Sequence, residues 1–301
     1  MSVFILKLIA MITMLIDHIA ATYGWYGWNI MPYDATGMRY IGRIAFPIFA
    51  FCIINGWKYI RDRKKYFMRL CMGAIVSQIP FSLVFYPPNV STINETEKVF
   101  TYWFNAPTLI VGVIGVVTYW YFVQKRKADK STILVSAFFL LPAWGLKVGY
   151  MWVLCDSLNV LYTFALGCAV LYAFEQVKAK ALCWWEYVWL FGALILAIIS
   201  IGYRSDYGIN FMGFVLMIAL YFSQRFRLLQ TVVIAVWGFI FYGLLIGNMG
   251  NAYATVIPAI LVLLYNPEKG GESKWMKSLF YAFYPLHLII IGIINVFIRI
   301  G

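Results

Sequence analysis

The chain has 301 residues, of which 63% are hydrophobic and only 12% are charged. Soluble domains carry about 25% charged residues, so this composition excludes a soluble globular protein and indicates an integral membrane protein. The formal charge of +12 would favour nucleic-acid binding in a soluble protein. Here most basic residues fall in short loops, where membrane topology explains them, and we expect no nucleic acid as a partner.

Segments of about 20 mainly apolar residues are long enough to cross a bilayer as helices. Eleven segments fit this description, over residues 3–23, 40–59, 67–86, 106–123, 131–146, 150–174, 184–203, 209–222, 229–247, 252–266 and 277–299. We therefore predict an all-α, polytopic membrane helical bundle that forms one domain over 1–301. The first segment lacks a small-residue cleavage site, so we expect it to stay as the first helix.

The distribution of Lys and Arg predicts the topology. Every second connection is basic, namely 58–69, 125–130, 178–180, 225–227 and 269–277, and together these five hold 17 of the 24 Lys and Arg. The other connections and the C-terminus hold five. The positive-inside rule then predicts a cytoplasmic N-terminus and an external C-terminus.

Two of the external connections are long. Residues 24–39 are rich in Trp and Tyr, which is typical of an interfacial aromatic belt and also compatible with a lid over a cavity. Residues 87–105 open with two prolines. The five cysteines are scattered without a CxxC spacing, which argues against a disulfide framework or a zinc site, and we expect no metal.

The chain has only two histidines, and each lies inside a long apolar run. His18 follows Asp17 in the first span, and His287 follows Pro285 by two residues in the last. An ionisable group within a membrane costs several kcal/mol to place, so each is a candidate functional residue. The alternative is an interhelical hydrogen bond made only for packing. Imidazole suits proton transfer, and both histidines have an equal claim to be the base.

Helical geometry sorts the charged groups near His18. Lys7 and His18 are eleven positions apart, so they fall within about 20° of one helix face. Asp17 points about 100° away from His18, because neighbouring residues do not share a helix face. We therefore expect Asp17 to pair with another helix, for example with Arg43.

Further polar residues lie in or beside the spans. Asp156 and Asp206 are candidates for the bundle interior, and Arg43 is expected to pair with Asp17 or Asp156. Gln78 and Asn105 are plausible liners of a substrate site. Asp156 and Asp206 are candidates for the substrate site as well, and Gln78, Asn105 and Asp206 could each equally be structural.

Six segments occur in a characteristic order and reach from residue 6 to about 291: LKLIAMITMLIDHI, IGRIAFPIFAFCIINGWKYIRDRKKYFMRL, SQIPFSL, NAPTLIVG, SDYGINFMG and LFYAFYPLHLII. Together they resemble the TraX family of bacterial membrane proteins. The resemblance implies an acetyltransferase, since the family's named member acetylates the N-terminal amine of a conjugative pilin subunit.

The family is more remotely similar to a wider group of transmembrane acyltransferases. That group includes the lysosomal heparan glucosaminide N-acetyltransferase and bacterial enzymes that O-acetylate polysaccharides. The O-acetylating enzymes carry an Arg, ten residues and then a His in their first helix. Here Lys7 stands at the Arg position, which departs from the pattern.

The resemblance implies acetyl-CoA as the acyl donor, and its phosphates need basic partners. We predict such roles for six residues: Lys7, Arg43, Lys58, Arg61, Lys65 and Arg69. Topology and anionic lipid binding also explain the basic stretch 58–69. A pantetheine arm threading between helices would bring the thioester to His18, where transfer could be direct or pass through an acetyl-histidine.

These observations predict a membrane acetyltransferase with a buried His as general base and with Asp17 beside it in the catalytic group. The acceptor would be a protein N-terminus or an envelope glycan on the far side of a bacterial inner membrane. Further partners are membrane lipid and, in one arrangement, a second copy in a homodimer. The rival readings are a proton-coupled transporter or flippase that uses the buried Asp and His as a relay, and a non-catalytic assembly factor.

Overall fold

The computed structural model describes residues 1–25, 35–85, 100–124, 129–148, 151–268 and 274–300. Its α-helices are α1 (Val3–Ala20), α2 (Ala35–Gly42), α3 (Ala45–Tyr59), α4 (Arg63–Phe85), α5 (Ala106–Phe122), α6 (Lys130–Leu140), α7 (Val160–Ala179), α8 (Trp184–Ser200), α9 (Met212–Phe222), α10 (Arg227–Gly238), α11 (Met249–Ala254), α12 (Val256–Leu263) and α13 (Lys274–Ile300). The strands are β1 (Phe100–Phe104), β2 (Trp144–Val148) and β3 (Met151–Leu154). Short π-helical turns extend α1 over Ala21–Trp25 and α10 over Phe239–Leu245.

The helices confirm the predicted all-α, multi-pass bundle. Six segments are long and apolar enough to cross a membrane: Val3–Tyr23, Ala35–Tyr59, Arg63–Phe85, Val160–Ala179, Trp184–Arg204 and Arg227–Leu245. Five shorter apolar helices are Ala106–Phe122, Lys130–Ala143, Ile209–Phe222, Met249–Leu263 and Ser278–Ile294. Within the described ranges these follow the eleven predicted spans in order. The orientation of the termini stays a prediction, and residues 26–34 and 86–99 of the two long connections lie outside the described residues.

A small antiparallel sheet corrects two of the predicted spans. The span predicted over 131–146 ends as a helix at Ala143, and the one predicted over 150–174 begins as a helix only at Val160. Between them, Trp144–Val148 and Met151–Leu154 pair as β2 and β3, and β1 joins β2 with Phe104 opposite Trp144. Apolar, β-branched and aromatic residues fit a strand as well as a helix, so composition alone could not separate the two.

The chain divides into two compact units. The first comprises Met1–Tyr59 with Val215–Gly301, and the second comprises Ile60–Phe214. In the first unit, α1 packs against α2, α3 and α13, and α10 packs against α12. In the second unit, α4 packs against α6, α7 and β3, and α5 packs against α6 and α8. The prediction of a single domain over 1–301 stays a prediction.

Proline explains a break in the second predicted span. The helix stops at Gly42 and resumes at Ala45, with a tight turn in which the N–H groups of Arg43 and Ile44 bond to carbonyls three residues back. Pro47 has no N–H to bond to the carbonyl of Arg43, and a proline is tolerated in the first turn of the new helix. The break places Arg43 at a bend between two helices.

Candidate active site

The two histidines of the chain meet inside the first unit. Nδ1 of His18 on α1 lies 2.7 Å from Nε2 of His287 on α13, although 269 positions separate the residues. Both side chains are buried, with relative exposures of 6% and 4%. A distance of 2.7 Å between ring nitrogens is a short hydrogen bond. The structure therefore brings together the two residues that the sequence indicated as candidate bases.

The two imidazole rings meet edge to edge. Their planes differ by 18°, and their centroids lie 4.9 Å apart. That centroid separation is close to the nitrogen–nitrogen distance plus the two ring radii, so the bonded nitrogens lie almost on the line between the centroids. A nitrogen lone pair lies in the plane of its ring, and this arrangement aims it at the neighbouring N–H group. The pair is a well-aligned hydrogen bond and not a face-to-face stack.

Residues of α13 fix the ring of His287. Its Nδ1 lies 2.7 Å from the carbonyl oxygen of Phe283, one helical turn earlier. The Phe283 ring stacks on the imidazole with centroids 4.6 Å apart and planes 13° apart. Tyr284 presents its ring edgewise to both histidines, with centroid distances of 5.5 Å to His287 and 6.2 Å to His18. Aromatic side chains thus hold both rings in place.

Spacing predicts that Lys7 and His18 share one face of α1, and in the structure this face contacts α13. Phe4 packs on Phe280 with ring centroids 6.1 Å apart, and Lys7 Nζ lies 4.9 Å from the centre of the same ring. Three turns further on, His18 meets His287. The contacts advance in the same chain direction on both helices. The first and last spans therefore run in parallel directions, as an odd number of spans requires.

Asp17 binds two arginines across from α1. Its Oδ1 lies 3.1 Å from Arg43 Nη2 and 2.8 Å from Arg39 Nη1. This confirms the predicted pairing of Asp17 with Arg43 rather than with His18. Gly42 lies against the same carboxylate, because a Cβ added there would come within 2.1 Å of Asp17 Oδ1. The absence of a side chain at Gly42 lets the two helices approach closely enough for the ion pairs to form.

Arg39 was not predicted as a partner of Asp17, because it falls in a segment assigned to an external connection. Arg39 precedes Arg43 by four residues, and residues four apart share a helix face. Arg43 Nε also donates to the carbonyl oxygen of Arg39 at 3.2 Å. The spacing of the two arginines was therefore the signal that could have identified both as partners of Asp17.

The residues predicted to bind the acyl donor fall into two groups. Lys7 and Arg43 lie inside the first unit, in the contacts described above. The other four, which are Lys58, Arg61, Lys65 and Arg69, are exposed at the surface, Lys58 in the first unit and the rest in the second. Lys65 Nζ is 3.3 Å from Asp62 Oδ2. The neighbouring Arg63 and Lys64 pair with Glu175 and Asp129.

Gln78 and Asn105, which were predicted to line a substrate site, make hydrogen bonds within the second unit. The buried amide of Gln78 donates to the carbonyl of Ser157 at 2.8 Å and accepts from the side chain of Asn159 at 2.9 Å. Asn105 caps α5 by accepting from the Thr108 N–H at 2.9 Å. These contacts account for both residue types at their positions, and a role with substrate stays a prediction.

The expectation that Asp156 and Asp206 face the bundle interior is wrong. The Asp156 side chain is 71% exposed and forms an ion pair with Arg204, and Asp206 is also exposed. The backbone of Asp206 is fixed, because its carbonyl accepts from Thr163 Oγ1 at 2.5 Å. Asp156 lies in the bend between β3 and α7, and Asp206 lies in the turn between α8 and α9. Neither is inside a span, and the apolar residues that flank them concealed this in the sequence.

Comparisons with known proteins agree with the sequence resemblance. The family model described as TraX protein matches residues 2–154 and 150–295. A relative described as "Probable fimbrial assembly protein FimC, serogroup H1", from Dichelobacter nodosus, is 24% identical over 307 residues, covering 99% of this chain and 97% of the relative. No solved structure matches. Because the family model matches nearly the whole chain, the chain belongs to the TraX family of multi-pass membrane proteins.

Proposed function

We propose that the protein is a membrane acetyltransferase that moves an acetyl group from acetyl-CoA to an amine or hydroxyl acceptor. The observation that carries the proposal is the buried hydrogen bond between His18 and His287. General base catalysis needs an imidazole that can accept a proton and pass it on, and a hydrogen-bonded pair provides both functions. The TraX resemblance implies the same chemistry.

The proposed reaction is a direct acyl transfer. The acceptor nitrogen or oxygen attacks the thioester carbonyl carbon, and an imidazole of the pair takes the acceptor's proton. The new carbon–nitrogen or carbon–oxygen bond forms as the carbon–sulfur bond breaks. Coenzyme A leaves as a thiolate, which then receives the proton from the imidazole. Both substrates are thus converted to products without a net change in the protein.

We assign the other residues by their positions. Asp17, which precedes His18 on α1, is a positioning residue, because its carboxylate holds Arg39 and Arg43 by ion pairs. The exposed basic residues of the stretch 58–69 are suited to the phosphates of acetyl-CoA, because Arg and Lys are the usual partners of phosphate. The positive-inside rule predicts that this stretch is cytoplasmic, on the side where acetyl-CoA is found. The site of action would be the inner membrane.

A pilin-type N-terminal amine is the acceptor we favour. The relative from Dichelobacter nodosus is described as a probable fimbrial assembly protein, and fimbriae are built from secreted subunits. An envelope glycan hydroxyl would use the same base. A protein that only assists assembly, without chemistry, fits the description of the relative equally well. Such a protein would leave the thioester intact.

The test uses the full chain in lipid nanodiscs with acetyl-CoA and a peptide that has a free N-terminal amine. Release of the coenzyme A thiol should require the peptide and should fall at least about a hundredfold in His18→Gln, since general base catalysis contributes that much. Thr13→Val is the matched control. Thr13 is buried on the same helix and donates only to the carbonyls of Ile9 and Ala10, so this variant should stay active.

The transporter reading rests on the same pair of histidines, because a hydrogen-bonded pair can also relay protons across a bundle. Reconstituted vesicles separate the two functions. A transporter would move solute or protons in response to a pH gradient and would leave acetyl-CoA intact. Thiol release without a pH gradient is the result that the acetyltransferase predicts.

A further inference from the structure

We infer that Nε2 of His18 is the atom that accepts the proton, and that His287 is a positioning residue that fixes the tautomer of His18 and receives its other proton. This assignment rests on the proposed acetyl transfer. It goes further, because it distinguishes two histidines that sequence and resemblance leave equivalent.

The carbonyl of Phe283 fixes the tautomer of His287. A carbonyl oxygen can only accept a hydrogen bond, so the Nδ1 atom of His287, 2.7 Å away, carries a hydrogen. In a neutral imidazole the second nitrogen is then an acceptor. Nε2 of His287 therefore accepts from its partner.

That partner is Nδ1 of His18, which must be the donor in the 2.7 Å bond between the rings. A neutral His18 with its hydrogen on Nδ1 has its lone pair on Nε2. For two neutral rings, this is the one arrangement that satisfies both hydrogen bonds. Both histidines then have the hydrogen on Nδ1, and the basic site of the pair is Nε2 of His18.

The same geometry predicts where the proton goes. When Nε2 of His18 takes a proton from the acceptor, His18 becomes an imidazolium. It can then pass its Nδ1 proton to Nε2 of His287. His287 becomes the imidazolium, and its Nδ1–H still donates to the Phe283 carbonyl. The charge thus moves one ring away from the reacting centre, and the reverse transfers return a proton to the leaving thiolate.

The surroundings of His287 suit a fixed partner rather than a group that meets the substrate. Phe283 stacks on one face of its ring and Tyr284 contacts it edgewise. Both of its ring nitrogens are used in the two hydrogen bonds, one to a backbone oxygen and one to His18. With both nitrogens bonded, the His287 ring is held in one geometry.

Two substitutions at His287 separate its role in fixing the tautomer of His18 from its role in receiving the proton. In His287→Gln, the side-chain oxygen can still accept from Nδ1 of His18 but cannot take its proton. We expect kcat to fall about tenfold with KM unchanged. In His287→Leu the acceptor is lost, so the hydrogen on Nδ1 of His18 no longer has a partner at residue 287 and can move to Nε2. We expect kcat to fall at least about a hundredfold, close to the loss in His18→Gln.

The deciding experiment is a nitrogen-15 spectrum of the imidazole rings in the full chain. With only two histidines, a tag-free protein labelled at histidine gives four ring nitrogens, two for each residue. The inference predicts that both rings carry hydrogen on Nδ1 at neutral pH. It also predicts that His18 keeps this tautomer in His287→Gln and loses it in His287→Leu.

The outcomes for the inference and for the proposed function are distinct. A ring with hydrogen on Nε2 in the resting protein, or a His18 tautomer that is the same in His287→Leu, would overturn the inference even if acetyl transfer is observed. If the tautomers are as predicted but His287→Gln has the same kcat as the unchanged protein, the relay is overturned. Absence of thioester chemistry with every acceptor would overturn the proposed function and, with it, the catalytic role of the pair.

Discussion

Oδ1 of Asp17 lies 3.1 Å from Nη2 of Arg43. Asp17 immediately precedes His18, the histidine that we assign as the base. The same oxygen lies 2.8 Å from Arg39 Nη1, so one carboxylate serves two guanidinium groups. The side chains of Asp17 and Arg43 are each only 12% exposed. This cluster couples the end of α1 to the bend between α2 and α3.

Replacing Asp17 by Asn should destabilise the protein strongly. Removing one partner of a buried ion pair leaves the other charge uncompensated, at a cost of about 3 kcal/mol or more. Thermal unfolding in detergent, followed by size-exclusion chromatography of the heated protein, measures the change. Asp62→Asn is the control, because Asp62 pairs with Lys65 where both side chains are about half exposed or more. An equal loss in both variants would contradict the structural role of Asp17.

Gly42→Ala should have a similar effect by a different route. A Cβ at Gly42 would lie 2.1 Å from Asp17 Oδ1, so the carboxylate must move away from both arginines. Gly37→Ala is the matched control on the same helix, where a Cβ meets nothing within 4 Å. Since Ala favours helix by up to about 1 kcal/mol over Gly, Gly37→Ala should hold or raise the melting temperature. A Gly42→Ala variant as stable as Gly37→Ala would show that the helices do not approach as described.

In the second unit, Arg204 joins three segments. Its Nε donates to the carbonyl of Asp156 at 2.9 Å, its Nη1 donates to the carbonyl of Pro142 at 3.0 Å, and its guanidinium lies 5.4 Å from the Trp103 ring centre. Lysine cannot form this set of directional bonds, so Arg204→Lys should cost about 2–4 kcal/mol of unfolding free energy. The Arg63 side chain, which pairs with Glu175, is 43% exposed against 14% for Arg204, so Arg63→Lys should cost less than about 1 kcal/mol. Equal shifts in melting temperature for Arg204→Lys and Arg63→Lys would contradict the role of Arg204 in joining these segments.

Asp129 predicts a pH dependence of stability. Hydrogen bonds from Lys64 and then from Ser131 lower the pKa of its carboxyl from 3.8 to about 2. Because the folded state lowers this pKa, the carboxylate stabilises the fold fully above about pH 4. That contribution disappears as the pH falls towards 2. The difference in melting temperature between the unchanged protein and Asp129→Asn should therefore shrink over this range. A difference that stays constant down to pH 2 would contradict the prediction.

Much of the fold could be predicted from the sequence, because the membrane imposes long apolar helices. The eleven spans appear in order, and the spacing of Lys7 and His18 placed both on one face of α1, which in the structure contacts α13. The pairing of Asp17 with Arg43 also followed from helix geometry. In each case the signal is local to one helix or is set by the cost of a buried charge.

What could not be predicted depends on contacts between distant segments. The bond between His18 and His287 joins the first and last spans, and no local pattern indicates which helices of a bundle are neighbours. Asp156 and Asp206 appeared to be interior because apolar residues surround them, yet turns of the second unit expose them. Strands β2 and β3 were missed because their apolar and aromatic residues fit a helix as well as a strand, and β1 lies in a segment that was predicted as a connection.

The most direct test of the central claim is transfer of a carbon-13 acetyl group. The full chain in nanodiscs is incubated with carbon-13 acetyl-CoA and a pilin-type peptide, and mass spectrometry measures the labelled peptide. The account predicts a labelled N-terminus with the unchanged protein and with Thr13→Val, and a loss of at least about a hundredfold with His18→Gln. Labelling by His18→Gln at the unchanged rate would contradict the assignment of the base. Absence of labelled product with any amine or hydroxyl acceptor would contradict the acetyltransferase itself.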